Sequence, residues 1–412
     1  MQKIIYAVKK LFGQNTYRLE NDFNFKNSSC VLSKPVVVDL EENGKYQILF
    51  NTSEGKLVSV DDKAKINWTY NTNQKNNHLD LQFANTLVSQ SKSSPNIEDI
   101  NFDGEKEIIF GTEEGMIFCL NKKGELLWKF DAKSAIKGSP TFVDLVGDKK
   151  KEVVFGTIGG KIFILTSEGK EIHSFKIPAG IENSPLIVGS KIILSMINGE
   201  VGAYDLKGNT FWSYKTNGKI IADMELIKIH SKPHLLIGSE DHTLYCLTLD
   251  GELKWSYKTN GPLISKVAVG DVNKDGKDEI VFGSCDNTIY CLTLDGEKLW
   301  SYETDFWVGS TPLLKDITNN GRVEIIVGSY DHNLYVLDGE GTHMLNYIPG
   351  LSGLTHQNEG YSGLSYSKTK IGKELWKFET DDIIVGCISF PNTNDILINT
   401  KSGKINKLKV KN

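Results

Sequence analysis

The chain of 412 residues has no apolar run approaching membrane-spanning length, no extended basic stretch and no Cys-x-x-Cys pair. The first absence excludes a bilayer-crossing helix. The second, with a net charge of −5, argues against a nucleic-acid surface. The third leaves zinc and thioredoxin-like chemistry without support. Six cysteines are present, but Cys119, Cys246 and Cys291 recur at one place in three repeats, where repeat symmetry keeps them too far apart to bridge. They read as small buried hydrophobes; Cys285 falls in a turn, and Cys30 and Cys387 stand alone. At the N-terminus an unbroken run of only five apolar residues precedes Lys9 and Lys10, too few for a signal-peptide core. A cytoplasmic location is expected for the chain as written, and an extracytoplasmic one if an export signal has been trimmed from it.

What is abundant is repetition. Tyr245 to Glu252 reads YCLTLDGE and so does Tyr290 to Glu297, and a near-identical unit at a fixed offset marks a repeat architecture. The most apolar run of the unit recurs eight times: QILFNT from Gln47, EIIFGT from Glu107, EVVFGT from Glu152, KIILSM from Lys191, HLLIGS from His234, EIVFGS from Glu279, EIIVGS from Glu324 and DILINT from Asp395. A short turn and a second β-rich run follow each copy, then a third run bearing Trp68, Trp128, Trp212, Trp255, Trp300 or Trp376, and a fourth precedes the first, as in SPTFVDL from Ser139. Short β-branched and aromatic runs bounded by Gly, Asn, Asp and Ser read as strands joined by hairpins. Four strands in a unit of roughly 40–45 residues predict an all-β propeller of eight four-stranded blades.

The last unit ends without its aromatic strand, so NTYRLE from Asn15 to Glu20 is expected to join the C-terminal blade and close the ring, since an open ring would leave a long unpaired edge. KIIYAV from Lys3 has no place in that scheme. The spacing stretches twice, at insertions 71–94 and 339–372. The second leaves two candidates for the outer strand of the seventh blade, THMLNY and ELWKFE, of which ELWKFE carries the repeat's Trp. With 39% hydrophobic residues and 38 glycines spread through turns, residues 1–412 read as one propeller domain, a monomeric ring.

The blade pattern, with its SP entry, EIVFGS strand, TLYCL strand and DGELKW ending, resembles the PQQ-like (quinoprotein-type) β-propeller repeat from about Lys34 to the C-terminus. Several blades also carry an acidic loop similar to that of FG-GAP repeats. The resemblance is specific for fold and unspecific for function, since such propellers host dehydrogenases, assembly lipoproteins, receptor ectodomains and interaction scaffolds.

Asp271, Asn273, Asp275, Gly276 and Glu279 spell D-x-N-x-D-G-x-x-E between the first two strands of one blade, and Asp99, Asn101, Asp103, Gly104 and Glu107 spell it again. Oxygen side chains at alternate positions, a Gly for the turn and a later carboxylate suit calcium, and the FG-GAP resemblance carries calcium to these two loops, with Lys277 and Glu105 at the intervening position. Asp39, Glu41, Asn43 and Gln47, and Asp316, Thr318, Asn320 and Glu324, are poorer sets; Asp144 and Asp148 are followed by Lys149 where Gly is needed. The competing reading of all these loops is Asx-rich turn chemistry without an ion.

A second constellation lies in the hairpins between second and third strands: Glu240, Asp241 and His242; Cys285 and Asp286; Tyr330, Asp331 and His332. These turns share a rim with the links between blades, so Phe306 and Trp307 are expected nearby, and the group offers a metal or polar-ligand site. Against it stands ordinary S-x-D-x turn chemistry with His at a permissive position. Trp at one place in six blades reads as inter-blade packing rather than a cofactor platform.

Quinoprotein dehydrogenases carry an adjacent Cys-Cys pair that this chain lacks, and PQQ is not expected here. The sequence therefore points to a non-enzymatic binding or scaffold propeller recognising a protein or glycan through its rim loops. A quinoprotein dehydrogenase is the alternative, with a polysaccharide lyase behind it.

Overall fold

The alternation of polarity within each repeat sets where its strands lie. EIIFG (Glu107–Gly111) is buried at every position and MIFCL (Met116–Leu120) at all but the first, whereas LLWKFD (Leu126–Asp131) has exposed residues at every second place. Strands covered on both faces must be sandwiched between neighbours, and a half-exposed one must form the outer edge. The computed structural model describes residues 18–26, 33–72, 93–347 and 364–411. Among them are thirty-two strands, which form eight four-stranded blades in a ring.

Each blade runs antiparallel from a short inner strand outward. The hydrophobic core sits between blades: Leu236, Leu244 and Cys246 of blade five pack with Ile280, Phe282 and Leu292 of blade six, and equivalent clusters recur around the ring. Stability is therefore a sum of neighbour interfaces rather than of one central core.

Ring closure is as the sequence predicts. Within the described residues the closing strand is Arg18–Lys26, which shares Arg18, Leu19 and Glu20 with the expected Asn15–Glu20 and continues to Lys26; it pairs antiparallel with Lys404–Lys411 from Arg18↔Lys411 to Lys26↔Lys404. The alternation in NDFNFK, with Phe23 and Phe25 two apart, extends the strand period beyond Glu20. Asn15, Lys3 and Cys30 lie outside the described residues, as do 73–92 of the first insertion.

The second insertion continues a hairpin instead of interrupting the repeat. The third strand of blade seven, Asn333–Tyr347, takes in THMLNY, and the fourth, Leu364–Glu379, takes in ELWKFE, with Val336 opposite Trp376. The returning arm also makes a parallel bridge to the outer strand of blade six, Trp300↔Lys370 and Ser301↔Ile371. Residues 348–363 lie outside the described residues.

Candidate functional site

The acidic loops are closed on themselves. In the loop of blade two, Asp99 accepts the backbone N–H of Phe102 (2.8 Å) through Oδ1 and that of Gly104 (2.9 Å) through Oδ2, and Asp103 Oδ1 accepts Glu105 N–H at 2.8 Å. In blade six, Asp271 Oδ2 accepts Gly276 N–H at 3.0 Å and Asp275 Oδ1 accepts Lys277 N–H at 2.8 Å. The same bond to the sixth residue recurs where the ligand set is poor, from Asp39 to Gly44 and from Asp144 to Lys149. A bond made equally by full and depleted motifs is part of the turn itself.

The orientation of Asn101 adds to this. Its Oδ1 accepts Asp103 N–H at 2.9 Å, so its Nδ2 faces the carboxylates of Asp103 (3.0 Å) and Glu107 (3.2 Å), placing a donor where a cation would need an acceptor. Among the described residues no group of three or more His, Cys, Asp or Glu side chains is placed to hold a metal. The last acid of the motif is buried and reaches back seven residues, Glu107 to Ile100 N–H (3.0 Å) and Glu279 to Val272 N–H (3.1 Å). Burial, helped by the neighbouring aspartates, pushes both carboxyls up to about 7.

The hairpin acids also have structural employment. Asp241 Oδ2 accepts Asn217 N–H (2.8 Å) from the preceding link and the Tyr245 hydroxyl (2.8 Å). Asp286 repeats this with Asn260 (2.9 Å) and Tyr290 (2.8 Å), and Asp331 with Asp305 (3.0 Å) and Tyr335 (2.6 Å). Each bolts a blade to the link before it. Burial first, and then the carboxylate, pushes the Tyr245 hydroxyl up to about 12. His242 and His332 occupy positive-φ turn positions (71° and 70°) that Asn287 fills in blade six. The three acids and two histidines thus share a face without converging. The spacing D-x-x-x-Y, present in all three blades, is the signal that would have found the tyrosine partners.

What the structure does bring together is aromatic. Phe306 and Trp307 stack with ring centroids 5.4 Å apart and 16° between planes, and Trp307 lies 6.2 Å from Tyr330. The first two are 47% and 44% exposed. They are held from below: the Trp307 carbonyl accepts Tyr330 N–H (2.9 Å) and the Ser329 hydroxyl (3.1 Å), a bond made in other links by Lys219 to Glu240 and Pro262 to Cys285. Among the described residues no other link carries such an exposed aromatic pair.

The same links converge on the channel axis. A cavity of about 250 Å³ opens there, with lining residues from every blade, among them Lys34, Lys137, Glu182, Asp223, Ser265 and Gly309. Several of its charges are engaged: Lys137 Nζ lies 2.9 Å from Glu182, Lys266 Nζ 2.5 Å from Glu225, and Asp223 accepts Ser184 N–H at 2.7 Å. Sequence reading missed this mouth because each blade contributes residues about forty-five apart in the chain.

Four of the tryptophans do the packing the sequence assigns them. Trp128, Trp212, Trp255 and Trp300 each donate Nε1–H to a carbonyl of the next blade, at Ser167 (2.8 Å), Leu249 (2.7 Å), Leu294 (3.0 Å) and Gly339 (3.0 Å). Gly251, at φ +82°, shows why the partner turn carries glycine: a Cβ there would sit 2.5 Å from the Trp212 ring.

These features define an eight-bladed β-propeller with polar turns, Trp-stapled blades and, among the described residues, one exposed aromatic pair on the face of its links. The chain belongs to the family of the lambda-carrageenase beta-propeller domain, which it matches over residues 80–178, 191–270 and 247–350. No curated protein matches the sequence. Among solved structures the fold is similar to BamB from Moraxella catarrhalis (TM-score 0.64, 15% identity, covering 95% of this chain and 98% of that one). It is also similar to the C-terminal WD40 domain of Sif2 (0.66, 11%, 96% and 99%) and to the computationally designed Ika8 protein (0.63, 13%, 93% and 97%). At such identities the likeness is one of fold.

Proposed function

We propose that the protein is a non-catalytic binding propeller that recognises a macromolecular partner, protein or glycan, through the face formed by its links and second hairpins. The observation that carries this is the exposed Phe306–Trp307 stack, fixed in place by backbone bonds on a rigid ring. Large apolar surface kept in water at a preorganised position is what a recognition site looks like before its partner arrives. The acids and tyrosines around it are consumed by structural bonds, which leaves few free groups for catalysis. Capture from the native host should recover a binder on the intact ring and lose it on Phe306→Ala/Trp307→Ala; an unchanged catch would remove this face from the reading.

A polysaccharide-cleaving activity is the second reading, favoured by the carrageenase for which the family is named. Release of reducing ends from carrageenan by the purified chain would replace the proposal. The quinoprotein reading has less support, since the tryptophans whose contacts are described pack against the neighbouring blade.

Structural calcium in the loops at Asp99 and Asp271 is supported by ligand spacing and opposed by the direction of Asn101 Nδ2. Stability against pH separates the two. Without an ion, Glu107 and Glu279 hold protons more tightly folded than unfolded, so their contribution is full below about pH 4.5 and is lost as pH rises through about 7. Glu107→Gln/Glu279→Gln should flatten that fall in thermal melts, and EDTA should leave the wild-type curve unmoved. A bound cation would keep both acids ionised, reverse the slope, and make the melt sensitive to EDTA.

A further inference from the structure

We infer that the face opposite the links carries a self-association surface, on which two copies of this chain meet by a two-fold contact between the acidic-loop tips of blades two and three. The inference stands independently of the binding reading above and replaces the monomeric ring that the sequence suggests.

The loops that begin at Asp39, Asp99, Asp144, Asp271 and Asp316 follow one pattern, and two neighbours break it. At the fourth position stand Glu42, Gly147, Lys274 and Asn319, but blade two places Phe102 there; at the third stand Glu41, Asn101, Asn273 and Thr318, but blade three places Val146. Phe102 and Val146 are each 64% exposed, more than any other large hydrophobic residue described. Phe102 also sits at φ +62°, a left-handed conformation that disfavours a bulky side chain and that Gly147 fills in blade three. A strained, solvated aromatic at a loop tip does nothing for the packing of a single ring.

The two tips are held as one unit. Lys151 N–H donates to the Ile100 carbonyl at 2.8 Å, Lys151 Nζ lies 2.8 Å from Glu98, and Lys149 Nζ lies 5.4 Å from the centre of the Phe102 ring. Apolar surface continues outward from them. Leu126 and Leu127 follow the turn that the Lys122–Glu105 pair (2.5 Å) ties to the loop of blade two, and Ile172 follows the turn that Lys150–Glu168 (2.9 Å) ties to the loop of blade three; all three side chains are exposed. Exposed apolar residues gathered on fixed loops mark a contact surface.

Charge selects the occupant. Asp148 and Lys149 are adjacent, exposed and opposite in sign, and among the described residues neither forms an ion pair: Asp148 accepts the Lys150 N–H at 3.0 Å and Lys149 lies over Phe102. In an isologous contact residue i meets residue j while j meets i, so Asp148 of each copy faces Lys149 of the other on both sides of an apolar centre. A surface carrying both signs beside its apolar centre matches its own image, whereas a partner of one sign leaves either Asp148 or Lys149 opposed by like charge. The tips lie at the opposite end of the blades from the hairpin of Tyr330, so Phe306 and Trp307 stay open on both copies.

The test is sedimentation velocity of the intact chain at concentrations up to about 200 µM, where even a weak two-fold contact is populated. The wild-type chain should show a concentration-dependent dimer. Phe102→Asn, which gives blade two the residue that blade seven carries as Asn319 at φ +56°, should weaken the dimer about tenfold or more and leave the melting temperature unchanged or higher. Asp148→Lys and Lys149→Asp should each abolish self-association, yet the two variants should pair when mixed, because every charge across the axis then meets its opposite. Phe211→Ala, an exposed ring on the outer strand of blade four, should leave the dimer intact. A chain monomeric at every concentration, a dimer indifferent to Phe102→Asn, or charge variants that do not pair when mixed overturns the inference. Phe102-dependent binding to phosphatidylcholine vesicles or to a host protein by a chain that stays monomeric assigns the tips to that occupant and overturns it as well.

Discussion

The interface between blades six and seven and the seam between blades eight and one do the same job with different parts. At the first, Trp300 is 1% exposed, donates to the Gly339 carbonyl at 3.0 Å, and lies under Gly372, where a Cβ would come within 3.0 Å of its ring. The parallel bridge Trp300↔Lys370 ties the outer strands, and Val281, Cys291 and Val308 pack with Ile325, Val327 and Tyr335 inside. At the seam the inner packing persists, with Ile48, Phe50 and Val58 against Phe390, Leu397 and Ile405. The outer edge there has no Trp to staple it. The closing strand contains no Trp, Ala64 stands at φ +64° where the stapled turns have glycine, and a cavity of about 610 Å³ opens among Asp61, Lys63, Phe390 and Asp395. Polar contacts cross it instead: Lys407 Nζ donates to the Asp62 carbonyl at 3.4 Å, and Asn392 donates to the Tyr46 hydroxyl at 3.0 Å.

The difference teaches that inner strands hold any two blades together, while the Trp and glycine pair decides how firmly the outer edge is fastened. The aromatic row rises from the firmer interface, where positions are best kept. The seam, formed last in sequence terms by joining the two ends, is left with the weaker fastening.

Removing residues 18–26 should have the largest effect, because it exposes the edge of Lys404–Lys411 and opens the seam. We expect a loss of about 4 kcal/mol or more, seen as a lower melting temperature and concentration-dependent association, with partial recovery when the strand is added as a peptide. An unchanged melt would mean that the seam does not depend on that strand. Next comes Trp300→Ala, which removes a fully buried ring and should cost about 3–5 kcal/mol. Trp68→Ala should cost less, since that ring is only half-buried and its Nε1 has no hydrogen-bond partner among the described residues; equal costs would show that the staple is not graded. The smallest effect is Ala64→Gly, which relieves a left-handed conformation at the seam and should stabilise by up to about 1 kcal/mol in a denaturant titration. A loss of stability there would remove backbone strain from the account.

Much of this ring can be read from period alone. Eight apolar runs and a recurrent Trp announce blades, because a strand covered on both faces and a stapled outer edge each leave a fixed pattern. The seventh blade's outer strand follows from its Trp. The extent of the closing strand does not, since nothing in NTYRLE announces that pairing with Lys404–Lys411 runs on to Lys26. The acidic loops are legible as turns and ambiguous as metal sites, because the spacing that suits calcium is also the spacing at which Asp caps backbone N–H groups. Phe306 and Trp307 stand out in sequence; Ser265 and Gly309 do not, since a channel mouth is assembled from single residues of distant repeats.

Hydrogen exchange resolved blade by blade tests the graded ring most directly. Amides of blades one and eight should exchange first and together, while those of blades six and seven, beneath Phe306 and Trp307, should exchange last. Uniform protection around the circle, or earliest opening between blades six and seven, would contradict the account.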